Sequence, residues 1–166
     1  MRVKRENLFH LIEPMLPHVE KPSRYLNHEW GAVEEQEGPF HVCMVYADVY
    51  EVGQPNLGIA ILYNTLNKAP HISCERAYLP WVDMAALMRK RNVPLLSLEG
   101  AAPLASFDVV GFTLAHEMIA TNIIETLDLA GIPMLKNVMK RTHLFLVVVL
   151  LFGTQSQWPR SLMQFF

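Results

Sequence analysis

Four residues stand where a ligand could be met: Asp48, Tyr50, Gly53 and Thr113. The first three share the stretch Val42 to Gly58, VCMVYADVYEVGQPNLG, with the spacing Asp-x-Tyr-x-x-Gly. A buried strand leads into them, and a helix leads out from about Leu57. In an open α/β sheet, the loop after the first strand lies at the carboxyl edge, where ligands bind. Asp48 and Tyr50 put polar groups there, and Gly53 allows close backbone approach. Thr113 ends a later strand. Other combinations carry less chemistry. Gly53 and Gly58 have four residues between them, like a phosphate-binding loop, but Ile59-Ala60 stand where that chemistry needs Lys-Ser/Thr. His71, Cys74 and Glu75 fall short of the four ligands of a closed zinc site, and the Cys and His read as packing and surface residues. His116-Glu117 opens a helix at the carboxyl edge and could line a pocket, although Glu117 also suits a helix N-terminal dipole. No serine or cysteine nucleophile has an identifiable base, and no carboxylate pair can be argued from spacing. No catalytic residue and no metal site are expected.

The elements that would position these residues alternate. Residues 4–18 predict a short amphipathic helix, with Leu8, Leu11, Ile12 and Met15 on one stripe and Pro14 and Pro17 limiting its length. Residues 19–40 read as an irregular lead-in. His41 to Val49 is a strand apolar enough to be covered on both faces. Leu57 to Lys68 is a helix with Asn56 as its N-cap. Ile72 to Leu79 is a second strand and Trp81 to Arg91 a second helix. Leu95 to Leu98 is a short third strand, and Val109 to Leu114 a fourth. His116 to Ala130 is a third helix, stopped at Gly131-Ile132-Pro133. Strands and helices at this spacing predict a parallel sheet with right-handed crossovers. The fold class is α/β: a doubly wound, Rossmann-like or flavodoxin-like parallel sheet.

A chain of 166 residues suits one domain with a real core. With 51% hydrophobic and 18% charged residues it is a globular sequence. A net charge of −2 gives no broad attraction to nucleic acid or to an anionic membrane. The two cysteines, Cys43 and Cys74, make no disulfide framework. The start carries no signal-peptide pattern, because His10, Glu13 and Pro14 interrupt Leu8 to Leu16. The apolar run Leu144 to Phe152 is far short of the ~20 residues needed to span a bilayer. A cytoplasmic location is expected, with neither nucleic acid nor membrane as partner.

Four segments carry a resemblance: KPSRYLNHEWGAV, ADVYEVGQPNLGIAILYNTLN, ERAYLPWVDMAALMRKRNVPLLSLEG and FDVVGFTLAHEMIATNIIETLDLAGIPML. Together, from about Val19 to Leu135, they resemble the amino-terminal, cobalamin-binding-like part of a class of large bacterial radical S-adenosylmethionine (radical SAM) proteins. The resemblance implies the cobalamin-domain type of sheet over residues 41–135, preceded by a lead-in over 1–40. It places Asp48, Tyr50, Gly53 and Thr113 at a cofactor edge and makes cobalamin the candidate cofactor. Cobalamin-binding domains carry Asp-x-His-x-x-Gly where this chain has Asp-x-Tyr-x-x-Gly, and Thr113-Leu114 is loosely similar to their Ser-x-Leu element. In His-on domains the motif histidine replaces the cofactor's own base beneath cobalt. Neutral imidazole is a good metal ligand near pH 7, whereas a phenol with a pKa near ~10 is not, so lower-ligand chemistry is not expected of Tyr50.

The resemblance further implies a radical SAM barrel downstream. There a Cys-x-x-x-Cys-x-x-Cys motif holds an iron–sulfur cluster that cleaves S-adenosylmethionine. Cys43 and Cys74 cannot supply three thiolates. The cluster, the S-adenosylmethionine and the catalysis therefore belong to that barrel, the expected partner. The chain by itself is expected to be a non-catalytic accessory domain. The alternatives are a docking domain that no longer binds cofactor and an inactive truncated product. The last of these comes from residues 136–166, which depart from the family pattern. Read one frame over, the codons from Leu146 permit GGGPALRNPEPVAEVLDAVL, the Gly-Gly-Pro and Asn-Pro-Glu-Pro that the family carries. Trp158-Pro159 and Met163-Gln164 each force an alanine in that frame. An out-of-frame tail is the expectation for this segment.

Overall fold

The computed structural model describes residues 5–27, 29, 32, 40–114 and 118–133, together with the backbone of 144–148. The opening helix is shorter than its apolar stripe predicts. α1 is a single turn, Phe9–Ile12, followed by a 3-10 helix over Glu13–His18. Pro14 opens that segment and Pro17 lies inside it, and neither has an N–H to continue an α-helical ladder. A second 3-10 turn, Pro22–Tyr25, ends the first described stretch of the lead-in.

β1, Phe40–Tyr46, is buried from Val42 onward. Residues 50–53 were expected to be loop, but Tyr50–Gly53 close one helical turn, α2. α3, Leu57–Asn67, begins as expected: the Asn56 side chain accepts a hydrogen bond from the Ile59 N–H at 3.1 Å. Such a cap contributes about 1 kcal/mol. β2 follows at Ile72–Tyr78 and α4 at Val82–Arg91. β3 is Val109–Thr113 and α5 is Ile119–Leu129. Gly131, at φ 65, takes the left-handed position just past α5, where a residue without Cβ is unstrained. The expected start of α5 at His116-Glu117 lies outside the described residues.

β1, β2 and β3 form a parallel sheet with β1 in the middle. Val42 pairs with Cys74 on one side and with Val109 on the other. The backbone of β4, Leu144–Val148, lies parallel to β3 and completes the order β2-β1-β3-β4. This is the doubly wound, Rossmann- and flavodoxin-like arrangement that the alternation predicts. The remainder of 136–166, expected to be out of frame, lies outside the described residues. α3 packs on β2 and β1, and α4 lies beside α5. Val45, Val110, Phe112, Met84 and Ile119 are fully buried in the core. Strands covered on both faces read as near-continuous apolar runs, as β1 does from Val42 and β3 does up to Phe112.

One expected strand is not a strand. Residues 95–98 join the rest only through an isolated antiparallel bridge between Leu96 and Pro103. Leu98 N–H bonds to Arg76 O at 2.7 Å, which sets the segment along the free edge of β2. The ladder stops there because the Glu99 side chain accepts from the Arg76 N–H at 2.6 Å. A carboxylate thus satisfies the edge where a strand carbonyl would. Among the described residues no helix is long and apolar enough to cross a membrane.

Candidate functional site

The order β2-β1-β3 makes the chain leave β1 for one side and return to the other. The boundary between β1 and β3 is therefore the topological switch point, where the loops beyond the carboxyl ends diverge and leave a crevice. Val45 pairs with Phe112, so Thr113 ends β3 at the same edge that Asp48 follows on β1. Asp48 is half-buried and its groups are largely engaged. Its Oδ1 accepts from Val49 N–H at 2.7 Å, its own N–H bonds to Tyr46 O at 2.8 Å, and its carbonyl accepts from Leu79 N–H at 3.0 Å. The Asp48 side chain thus shapes the turn. Thr113 is buried, and its Oγ1 has no hydrogen-bond partner among the described residues.

Tyr50 and Gly53 fall to the β2 side of this edge. A Cβ built on Gly53 would stand 2.6 Å from Tyr78 Cδ1 and 3.0 Å from Tyr46 Cβ. The close approach that this glycine permits is to Tyr78, a residue of the chain itself. The Tyr78 ring also meets the Tyr50 ring edge-on, with centroids 5.4 Å apart. Burial, and then the neighbouring Glu29 carboxylate, push the Tyr50 phenol up to about 12. It stays protonated at neutral pH.

Sequence reasoning missed a buried charged cluster on β2. Arg76 pairs with Glu29 of the lead-in at 2.6 Å and with Glu99 at 2.7 Å, and its guanidinium lies 4.5 Å from the Tyr63 ring centroid. Next to it Glu75 pairs with Arg5, and its Oε2 accepts from Gly100 N–H at 3.0 Å. The Glu75 and Glu99 side chains are each only 4% exposed. Burial drives the Glu99 carboxyl above the usual carboxylate range in spite of Arg76. Burial works against the Arg76 charge too, but Glu99, Tyr78 and Glu29 more than offset it and raise the guanidinium further. Nearer the surface, Arg24 holds Glu51 at 2.8 Å and stacks 5.2 Å from the Trp81 ring centroid. These pairs fasten the lead-in over β2 and α2. The sequence did carry a signal: Glu75-Arg76 interrupts an otherwise apolar strand, and charged residues are rarely buried unless paired.

The cofactors that the resemblance implies can be tested against these residues. At the place of a cobalt-ligating histidine stands a phenol held protonated and packed on Tyr78, so Tyr50 does not fit lower-ligand coordination. Cys43 and Cys74 are both buried. Burial pushes the Cys43 thiol well up and the Cys74 thiol up to about 12, so neither offers a thiolate for an iron–sulfur cluster. Among the described residues no three His, Cys, Asp or Glu side chains gather as a metal site.

Comparison with known proteins matches neither a curated protein nor a solved structure. A family model described as "Radical SAM proteins, N-terminal" matches residues 58–166. Thr113 lies inside this match, while Asp48, Tyr50 and Gly53 precede it. The match takes in more than half of the chain, from the first turn of α3 through the buried Glu75-Arg76 pair to β4 and beyond. The chain belongs to the radical SAM family, of which the matched stretch is the N-terminal domain.

Proposed function

We propose that this chain is an accessory domain to a radical SAM catalytic domain and makes no bond to cobalt or to a cluster of its own. The observation that carries this reading is the chemistry of its candidate ligands. Tyr50 is a protonated phenol at the position an imidazole would need, and both thiols are buried and protonated. What the described residues of the carboxyl edge have left to offer is shape: a crevice at the β1–β3 boundary bordered by Asp48 and Thr113. Cobalamin, if it is the ligand, is held there by contact with its ring and side chains.

The catalytic part of this reading has a direct test. The chain, reconstituted with iron and sulfide and supplied with S-adenosylmethionine and a strong reductant, should form no 5′-deoxyadenosine. Formation of 5′-deoxyadenosine by the pure chain would overturn it.

A second reading, a docking domain without any cofactor, is favoured by one observation. Tyr78 fills the space over Gly53 that a ligand would otherwise approach. Gel filtration after incubation with hydroxocobalamin separates the two readings. A red protein fraction supports cofactor binding by shape, and a colourless one supports docking.

A further inference from the structure

A cavity of about 50 Å³ lies between the lead-in, the carboxyl end of β2 and α4, away from the β1–β3 crevice. Ile12, Met84, Met88 and Leu96 give it apolar walls. Arg24, Tyr50, Tyr78 and Ser97 are among its polar lining. Ser97 Oγ is engaged, accepting from Ala102 N–H at 2.9 Å. Arg24 Nε is engaged by Glu51. Two donor atoms on these lining residues have no hydrogen-bond partner among the described residues: Arg24 Nη1 and Tyr78 Oη. Arg24 is 9% exposed and Tyr78 8%. Buried donors are almost always satisfied, because losing water without a new partner costs more than a hydrogen bond returns. The acceptor that these two donors lack is therefore sought outside the described residues, in a bound molecule.

Charge narrows its nature. Glu51 already compensates Arg24. Glu29 and Glu99 stand near Tyr78; burial raises its phenol first, and these carboxylates add to the rise while Arg76 opposes them. With Lys21, Arg24 and Arg76 against Glu29, Glu51 and Glu99, the ion-paired surroundings sum to 3 − 3 = 0 in formal charge, and each of these cations already has a carboxylate partner. An anion would find no unpaired cation there and would stand close to carboxylates that already hold the guanidinium groups. A cation would meet the Arg24 guanidinium. A neutral oxygen acceptor meets neither objection. Size narrows it further, since the cavity is about a third of the ~150 Å³ that admits benzene. We infer that this cavity binds a small neutral molecule with a short aliphatic body and a carbonyl oxygen, an aliphatic amide or ketone. Its oxygen accepts from Arg24 Nη1 and Tyr78 Oη, and its carbons lie against Ile12, Met84 and Met88. This inference does not depend on the role proposed for the domain.

Acetamide and acetate, the smallest such pair with an aliphatic carbon, are nearly equal in shape and differ in charge, which makes them suitable probes. Methyl NMR of the full chain should show saturable acetamide shifts at the Ile12, Met84 and Met88 methyls. Acetate should bind at least tenfold more weakly. Tyr78→Phe keeps the ring against Gly53 and removes only the hydroxyl, and it should weaken acetamide about tenfold. Acetate binding as tightly as the amide would overturn the inference, as would an undiminished affinity in Tyr78→Phe. So would the absence of any methyl shift, which would mean that water alone satisfies the two donors. If Tyr78→Phe does not fold, the comparison of amide with acid on the unaltered chain decides.

Discussion

Replacing Arg76 with methionine should cost the fold about 3–5 kcal/mol, the usual penalty for removing one partner of a buried charge pair. Methionine fills much of the same volume, so the loss is electrostatic more than steric. It strands Glu29 and Glu99, whose carboxylates lie 2.6 and 2.7 Å from the guanidinium in a nearly water-free site. It also removes the cation stacked on Tyr63. Urea unfolding would measure the cost, and the melting temperature should fall by roughly 10 °C. The double variant Arg76→Met/Glu99→Gln should recover part of the loss, because an amide needs no counter-charge. The loss should also depend on pH. Glu99 is already raised above its unfolded value by burial, and losing Arg76 raises it further. A carboxyl raised in the folded state favours folding as pH falls through its folded pKa. The gap between variant and wild type should therefore narrow on acidification from neutral pH. A gap that does not change with pH, or a cost within ~0.5 kcal/mol, would show that the cluster is not buried as described.

Gly53→Ala should destabilise by about 1–3 kcal/mol. The sign is informative. Gly53 ends the helical turn α2, and alanine in an unobstructed helix is better than glycine by roughly 0.5–1 kcal/mol. Here the new methyl would stand 2.6 Å from Tyr78 Cδ1 and 3.0 Å from Tyr46 Cβ. The Tyr78 ring is pinned by Tyr50 and cannot swing away cheaply, and Tyr46 Cβ sits one bond from the backbone of β1. In a Tyr78→Leu background the same alanine should cost less, because the ring that it strikes is gone. Thermal unfolding of the four proteins of this cycle gives the coupling. A stabilising alanine in the wild-type background would mean that the space over Gly53 is open.

Much of the fold was legible because it depends on local pattern. The apolar run of β1, the Asn56 cap and the glycine beyond α5 each announce themselves within a few residues, and each is found. Leu95–Leu98 misled because apolar pairs look alike whether they fill a sheet or lie along its edge. What decides between those is Glu99, whose side chain takes the Arg76 N–H. The candidate site was legible in outline only. The carboxyl edge follows from alternation alone, so Asp48 and Thr113 fall where expected. The neighbours of Tyr50 and Gly53 do not follow from alternation. Tyr78 reaches Gly53 from the next strand, and Arg5 reaches Glu75 across seventy positions. Such pairings leave no periodic trace. The one available hint was a charged pair, Glu75-Arg76, inside a strand otherwise fit for burial.

The central claim is that this domain serves radical SAM chemistry without ligating cobalt. Electron paramagnetic resonance of cob(II)alamin mixed with uniformly ¹⁵N-labelled chain tests it most directly. A ¹⁴N base of the cofactor splits the signal into triplets, whereas a ¹⁵N imidazole from the protein would give doublets. The account predicts triplets from the cofactor's own base, or no nitrogen splitting at all, because Tyr50 is a protonated phenol packed on Tyr78. Doublets would contradict it and would show that a histidine of this chain stands beneath the cobalt.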